Sequence, residues 1–235
     1  MKKTFIVANW KSNKTESEAK DWLSEISSLK DQNLQNKEII VCPSYVHLPT
    51  MKAFIEKQML PIKLGAQNIS SFNEGAYTGE INGKQVGELV GYALVGHSER
   101  REYLRETDDD VIAKLKQLIE NNITPILCVS DMKQIDYYLS KDAIVNDKAD
   151  NIIFVYEPPS AISSGGKFHA ENPEIINQNA GQISQKIGKK VTTLYGGSVN
   201  VVNSKSLFTL DNIDGCLVGQ ASLDAKEFYA IIQNA

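Results

Sequence analysis

Short apolar runs recur along the chain, and longer stretches with the period of an amphipathic helix separate them. The runs are rich in β-branched residues and are bounded by polar ones, which is typical of strands buried on both faces. The predicted strands are residues 4–8, 38–42, 62–66, 91–95, 124–129, 152–155, 191–195 and 215–218. Strands that alternate with helices build parallel sheets through right-handed crossovers, so the pattern predicts an α/β protein.

The stretches between the strands carry helix signals at their ends. Thr15 and Glu18 form a capping box, in which Thr15 bonds a free helical amide and Glu18 reaches back. Thr107 precedes an acidic first turn, which the helix dipole favours. Asn172 and Gly188 bound a helix with proline in its first position. The predicted helices are residues 15–29, 48–56, 107–119, 132–139, 172–188, 204–208 and 224–233.

The length of the chain narrows the choice of fold. It has 235 residues, close to the ~250 typical of one (β/α)8 barrel. No linker or shift in composition divides it. We therefore expect a single (β/α)8 barrel domain with a parallel eight-stranded core over residues 1–235. A doubly wound open sheet stays the alternative, although no strand is followed by the GxGxxG pattern of a dinucleotide site.

Composition and charge exclude some classes of function. Hydrophobic residues make up 42% and charged residues 23% of the chain, as in soluble globular proteins. The net charge of −4 offers no general attraction to nucleic acid or to an anionic membrane. The apolar run at residues 5–8 is too short for a signal peptide or a membrane span. The three cysteines cannot all pair, and none stands in a CxxC spacing, which is typical of a protein in a reducing compartment. We therefore expect a cytoplasmic protein.

Polar side chains and glycines cluster where the predicted strands end. The active site of a (β/α)8 barrel lies at the carboxyl ends of the strands, so these residues should face one opening. They are Asn9 and Lys11 after the first strand, His97 and Glu99 after the fourth, Glu157 after the sixth, Gly196, Gly197 and Ser198 after the seventh, and Gly219 and Gln220 after the eighth. Taken one at a time, the histidine, the lysine and the acid are better explained by structural roles.

Glu157 stands between a buried strand and a segment with the composition of a short lid. Pro158 keeps Glu157 extended at the strand end. The small and polar residues that follow lead to a glycine pair at 165–166, which would serve as the second hinge. An acid in this position is a candidate general base. The alternative is an acid that caps a helix or pairs with a lysine.

Two further features suit a substrate with a phosphate and a carbonyl. Glycine pairs let backbone amides approach a phosphate closely, although such pairs are often only turns. We expect Ser98 to cap the turn after His97, which would place the imidazole at a helix N-terminus, where its neutral form is favoured. No second histidine or cysteine stands near His97 at metal-ligand spacing, so we expect neither a metal nor a cofactor.

Six segments, spread from end to end of the chain, together resemble the triosephosphate isomerase family. They are ANWK at 8–11, GAYTGE at 75–80, VGHSERR at 95–101, YEP at 156–158, YGGSV at 195–199 and LVGQASL at 217–223. The resemblance implies a TIM barrel that interconverts dihydroxyacetone phosphate and D-glyceraldehyde 3-phosphate through an enediolate. It also implies a place in glycolysis and gluconeogenesis.

The resemblance implies a role for each of the residues at the strand ends. Glu157 would be the base and His97 would polarise the carbonyl, a pairing for which this family is the standard example. Lys11 and Asn9 would stabilise the oxyanion, with Glu99 orienting Lys11. Backbone amides would hold the phosphate, namely those near Ser163 in the lid and those of Gly197, Ser198, Gly219 and Gln220.

The chain departs from the family pattern without losing any implied catalytic side chain. The differences lie in the lid, at Pro159, Ser160, Ser163 and Ser164, and beside Gly219, where Gln220 replaces a second glycine. The residues after Cys128, at 129–131, also differ from the family's usual glycine and glutamate, and the segment from there to residue 151 is shorter. The lid differences bear on how the segment closes. The glutamine requires a backbone amide to reach the phosphate with a side chain attached.

The polar loop that begins at Gln67 and ends at Glu80 (residues 67–80) resembles the arm with which family members clasp a second subunit. The resemblance implies a homodimer in which Thr78 reaches the partner's Asn9 and the partner's Lys11. Without the resemblance, a mobile surface loop is an equal interpretation. Two other functions stay open: another phosphosugar enzyme, which would usually need a metal or a Schiff-base lysine, and a catalytically silent barrel that binds a partner.

Overall fold

The computed structural model describes residues 3–29, 34–158 and 171–235, and its core is a closed parallel barrel. Each strand pairs with the next, and the eighth pairs with the first. The strands are β1 (Thr4–Asn9), β2 (Lys37–Cys42), β3 (Ile62–Ala66), β4 (Tyr92–Val95), β5 (Thr124–Val129), β6 (Ile153–Tyr156), β7 (Thr193–Tyr195) and β8 (Gly215–Val218). The predicted (β/α)8 barrel is confirmed, and the open doubly wound sheet is excluded.

Helices follow the strands around the outside of the barrel. They are α1 (Glu16–Ser28), α2 (Leu48–Gln58), α3 (Gly83–Gly87), α4 (Ser98–Leu104), α5 (Asp108–Glu120), α6 (Met132–Lys141), α7 (Ile144–Asp147), α8 (Pro173–Ile187), α9 (Val201–Leu207) and α10 (Ala225–Asn234). The caps predicted at Thr15, Thr107 and Asn172 are confirmed. The sequence analysis did not predict α3 and α7, and it predicted only a turn where α4 lies. These helices have four to seven residues, which is too short for the helical period of apolar positions to be recognised.

The buried side chains form two layers, one inside the barrel and one between the strands and the helices. The interior is filled by the cluster Val7, Ile40, Cys42, Leu94, Ile126, Cys128, Ile153, Val155, Leu194 and Leu217. Where the barrel closes, β8 approaches β1 so tightly that a Cβ on Gly215 would lie 1.9 Å from the carbonyl oxygen of Phe5. Only glycine fits this position, so Gly215 permits the seam that brings the first and last strand ends together.

Candidate active site

A cavity of about 270 Å³ opens at the carboxyl ends of the strands. It brings together most of the residues predicted for the site, namely Asn9, Lys11, His97, Glu157, Gly196, Gly197, Ser198, Gly219 and Gln220. Glu99 lines an adjoining cleft that shares Asn9, Lys11 and His97 with the cavity. Ser163, like the lid positions Pro159, Ser160 and Ser164, lies outside the described residues. The cavity wall also includes Ser98, which was expected only as a helix cap, and Asn13, Leu223 and Glu227, for which the sequence predicted no role in the site.

Lys11 is held in an unusual conformation directly after β1. Its backbone has a φ of 53°, a left-handed value that non-glycine residues rarely adopt. The side-chain oxygen of Asn9 accepts its backbone N–H at 3.0 Å, and Gln67 Nε2 donates to its carbonyl at 2.9 Å. Its ammonium pairs with Glu99 Oε1 at 2.5 Å. Because backbone and side chain are both fixed, the ammonium is aimed before any ligand arrives.

His97, and not Ser98, is the N-cap of α4, so the predicted cap was one residue too late. The reason is that the imidazole itself supplies the capping acceptor: Nδ1 accepts the backbone N–H of Glu99 at 3.2 Å. Ser98 is already the first helical residue. A nitrogen that accepts a hydrogen bond carries no proton, so the ring proton of His97 lies on Nε2, the nitrogen nearer Glu157.

Glu157 follows β6 with only 1% of its surface exposed. Its Oε1 lies 3.3 Å from His97 Nε2, and its Oε2 accepts the backbone N–H of Ser98 at 3.1 Å. Gly196 makes room for it, since a Cβ there would lie 2.8 Å from Glu157 Cγ and 2.5 Å from Val155 Cγ1. No lysine in the part of the chain that the structure describes forms an ion pair with Glu157. The carboxylate is therefore seated between the imidazole and the first turn of α4.

The Cys128 thiol lies inside the barrel next to the Glu157 carboxylate. Its complete burial and then the adjacent Glu157 carboxylate raise the pKa of the thiol well above its usual range. The thiol is consequently a neutral hydrogen-bond donor. Its two companions, Cys42 and Cys216, are likewise buried and unpaired.

A buried ionic network supports the loop that carries His97. Glu106 accepts the backbone N–H of Gly96 at 3.0 Å, Arg100 Nε at 2.5 Å and Lys114 Nζ at 2.5 Å. Lys114 also donates to the side chain of Asn68 at 2.8 Å. Burial favours a higher pKa for Glu106, but the hydrogen bonds from Lys114 and Arg100 outweigh it and hold the pKa below its usual value. Removing one member of such a buried set leaves an uncompensated charge, so each member holds the others in place. Because Glu106 also accepts the Gly96 N–H, the network fixes the backbone beside His97.

Sequence reasoning missed this network because its members are far apart in the chain and look like surface charges. Glu106 follows an exposed segment, residues 102–105, and Lys114 stands on a helix, α5, that carries other charged residues. One local signal was available: Lys114 falls on the apolar stripe of α5, three residues after Val111 and one before Leu115. A charge on a buried stripe generally requires a buried counter-charge.

Within residues 3–29, 34–158 and 171–235, no three histidine, cysteine, aspartate or glutamate side chains are grouped so that they could hold a metal ion. Over the same ranges, no helix combines the length and the apolar character needed to cross a membrane.

Known proteins of one family match this chain along nearly its whole length. The sequence model described as "Triosephosphate isomerase" matches residues 4–235. The triosephosphate isomerase of Trichodesmium erythraeum is 38% identical, with 99% of each chain covered. Those of Mesomycoplasma hyorhinis and Thermus thermophilus are 38% and 37% identical, and the alignments cover at least 98% of every chain. The chain belongs to the triosephosphate isomerase family.

Proposed function

We propose that Glu157, His97, Lys11, Asn9 and Glu99 form the catalytic set of this cavity. The chain interconverts dihydroxyacetone phosphate and D-glyceraldehyde 3-phosphate, the reaction that defines its family. The observation that carries the assignment of roles is the pairing of Glu157 and His97, whose facing atoms lie 3.3 Å apart at the wall of one cavity. This separation supports the proposal, because a carboxylate base and an N–H donor so close together can reach neighbouring atoms of one small substrate.

Glu157 removes a proton from the substrate carbon next to the carbonyl. The electron pair of the broken C–H bond forms the carbon–carbon double bond of an enediolate, and the carbonyl oxygen takes the negative charge. The protonated Glu157 then returns the proton to the neighbouring carbon, which was the carbonyl carbon. The burial of Glu157 suits this task, because little water competes with the substrate C–H bond for the carboxylate.

His97 and Lys11 act on the oxygen side of the same reaction. The Nε2–H of His97 donates to the carbonyl oxygen and moves protons between the two oxygens of the enediolate. The Lys11 ammonium and the Asn9 amide stabilise the developing charge. Glu99 orients Lys11 through the 2.5 Å ion pair. Preorganised donors of this kind contribute on the order of 10²- to 10³-fold each.

Backbone amides of Gly197, Ser198, Gly219 and Gln220 bind the phosphate group, joined by that of Ser163 in the lid. A Cβ added to Gly219 would lie 3.9 Å from Lys11 Nζ, so this backbone and the ammonium share one corner of the cavity. A phosphate held there receives both backbone dipoles and a positive charge. We assign no cofactor and no metal to the reaction.

The test of this function is turnover of D-glyceraldehyde 3-phosphate in the presence of a chelator and without added cofactor. We expect dihydroxyacetone phosphate to form, and in D₂O we expect deuterium at the carbon that Glu157 reprotonates. Heat-denatured protein serves as the control for spontaneous isomerisation. Absence of turnover by the folded protein would contradict the proposal and would favour a catalytically silent barrel. A requirement for metal would favour another phosphosugar enzyme.

We further infer a homodimer formed through the loop of residues 67–80. The loop is anchored at its base, where Gln67 Nε2 donates to the carbonyls of Lys11 and Cys42, each at 2.9 Å. Its outer part exposes the stacked rings of Phe72 and Tyr77, whose centroids are 4.3 Å apart. An anchored loop with exposed aromatic rings suits a partner better than it suits solvent.

The surface that would receive the loop of a second copy lies beside the active site. The adjoining cleft measures about 260 Å³ and is bordered by Tyr103 and Leu104, which are 65% and 63% exposed. Since the cleft shares Lys11 and His97 with the cavity, a docked Thr78 from the partner would complete the back wall of the site. In such a homodimer, each active site depends on the partner subunit, so catalysis requires assembly.

Thr78→Arg is expected to convert the dimer into monomers. Thr78 is exposed at the end of the loop, and the cleft is walled by the long side chains of Arg100, Tyr103 and Leu104, so an arginine lacks space there. Sedimentation velocity measures the change. Thr209→Arg, at an exposed position after α9, is the matched control and should leave the dimer intact. A Thr78→Arg protein that sediments like the wild type would refute the clasp.

We also infer that the protein works in the cytoplasm. The three cysteines are unpaired and buried, which suits a reducing compartment.

A further inference from the structure

Lys14 makes a contact that links two separate parts of the proposed site. Its Nζ donates to the backbone carbonyl of Leu223 at 2.7 Å. Leu223 caps the end of a short 3-10 helix, Gln220–Ser222, which follows β8. This turn carries the Gln220 amide that is proposed to bind the phosphate. Lys14 itself belongs to the loop after β1 that carries Lys11. The bond therefore joins the oxyanion side of the cavity to its phosphate side.

The loop end of this link is rigid. Lys14 has a left-handed backbone with a φ of 72°, and its carbonyl lies 2.9 Å from the ring nitrogen Nε2 of His47, a buried residue. The Lys14 Nζ is 5.1 Å from the centre of the Trp10 ring, which is fully buried. An ammonium over an aromatic face is attracted to it. The lysine stem is thus fixed against Trp10 before it reaches the turn.

The electrostatic surroundings keep the ammonium directed at the turn. Burial lowers the pKa of Lys14, and the charges of Glu18, Asp224 and Glu25 act in the opposite direction. A partly desolvated ammonium makes stronger hydrogen bonds than one in water, because water competes less for its protons.

The turn end of the link is held at two consecutive carbonyls. Trp22 Nε1 donates to the carbonyl of Ser222 at 3.1 Å, next to the Leu223 carbonyl held by Lys14. The Ser222 hydroxyl in turn donates to the carbonyl of Gly219 at 2.7 Å. A peptide plane whose oxygen is fixed has its N–H direction fixed as well. The bond to the Gly219 carbonyl therefore fixes the peptide plane that carries the Gln220 N–H, and Lys14 and Trp22 hold the far end of the same turn.

We infer that Lys14 is a positioning residue that locks the phosphate-binding turn to the loop of Lys11. The inference rests on the proposed function, because it assigns Lys14 to the phosphate subsite of that same site. Loss of the ammonium frees the Leu223 carbonyl and loosens the turn. Binding of the phosphate group should then weaken, whereas Glu157 and His97, held by other contacts, should react at nearly the same rate.

Lys14→Met is the decisive variant, since methionine keeps an unbranched stem over Trp10 and lacks the ammonium. We expect the Kd for inorganic phosphate and the KM for D-glyceraldehyde 3-phosphate both to rise about tenfold, because the variant loses the free energy of one charge-assisted hydrogen bond. We expect kcat to stay within about threefold of the wild-type value, because the groups that touch the reacting atoms keep their contacts. Titration calorimetry gives the phosphate Kd without any turnover.

Two further variants separate positioning from general stability. Lys14→Arg should restore most of the phosphate affinity, because it keeps a cation within reach of Leu223. Lys20→Met removes an equal charge from α1, where Lys20 forms only an exposed pair with Glu16 at 2.8 Å, and should leave Kd and KM unchanged.

A Lys14→Met protein with unchanged Kd and KM would overturn the inference, even if its Tm fell. So would a Lys14→Met protein that loses kcat alone. If the wild-type chain binds phosphate but does not turn over the triose phosphate, the proposed function fails. The calorimetric comparison of Lys14→Met with the wild type still decides the role of Lys14.

Discussion

Glu157→Asp is expected to lower kcat about 10²-fold, because a misplacement of ~1 Å at a reacting group can cost that much. The aspartate carboxylate would be withdrawn by one methylene from its place between His97 Nε2 and the Ser98 amide. The fold should persist, since the β6 backbone, including the bond from Glu157 N–H to the carbonyl of Val129 at 2.8 Å, does not depend on the side chain. KM should change far less than kcat, because the carboxylate acts on the transferred proton and does not hold the phosphate.

The measurement is steady-state kinetics in both directions together with thermal unfolding. Glu88→Asp makes the same one-methylene change at an exposed position after α3 and should leave kcat unaltered. A wild-type kcat for Glu157→Asp would show that Glu157 is not the base. A low kcat with a Tm lowered by more than that of Glu88→Asp would point to a structural role, the alternative that the sequence alone favours for this acid.

The fold was predictable because its signals are local. Capping boxes at Thr15 and Thr107 and the proline after Asn172 fix where long helices begin, and β-branched runs fix the strands. β7 shows the limit of this approach: it begins at Thr193, two residues after the predicted start. Val191 is buried without belonging to the strand, and burial is all that an apolar pattern reports.

The candidate site was predictable only in part, for a related reason. The barrel topology brings the residues at the strand ends together, so Lys11, His97 and Glu157 could be placed in one cavity before the structure was known. The direction of each side chain depends on distant partners. The bond from Lys14 to Leu223 spans 209 positions of the chain, and no local pattern encodes it.

The capping error at α4 has the same origin. Serine is among the preferred N-cap residues, so Ser98 was the expected cap. The tertiary structure instead holds His97 with a φ of −55° and a ψ of 138°, outside the helical region, and turns its ring toward the Glu99 amide. The imidazole therefore serves both as cap and as candidate electrophile, and the cap fixes the tautomer that the chemistry needs.

Lys11→Met is expected to lower kcat on the order of 10²- to 10³-fold, the usual effect of removing one donor that stabilises an oxyanion. The reason lies in the geometry around the ammonium. It is aimed by a strained backbone and by the Glu99 ion pair, and methionine keeps the stem while leaving Glu99 without its cation. An uncompensated carboxylate beside the cavity opposes the negative charge of an enediolate, so the transition state loses a favourable interaction and gains an unfavourable one.

Comparison with Lys14→Met makes this prediction selective. Both variants remove one ammonium from the same loop by the same substitution, but Lys11 lines the cavity, whereas the ammonium of Lys14 donates to the turn behind it. Lys11→Met should therefore lower kcat and, since its charge also faces the phosphate, raise KM. Lys14→Met should raise KM with little change in kcat. Lys11→Met combined with Glu99→Gln should recover part of the lost kcat, because the unpaired charge is then removed. An equal loss of kcat in the two single variants would mean that net charge, and not the placement of Lys11, controls the rate.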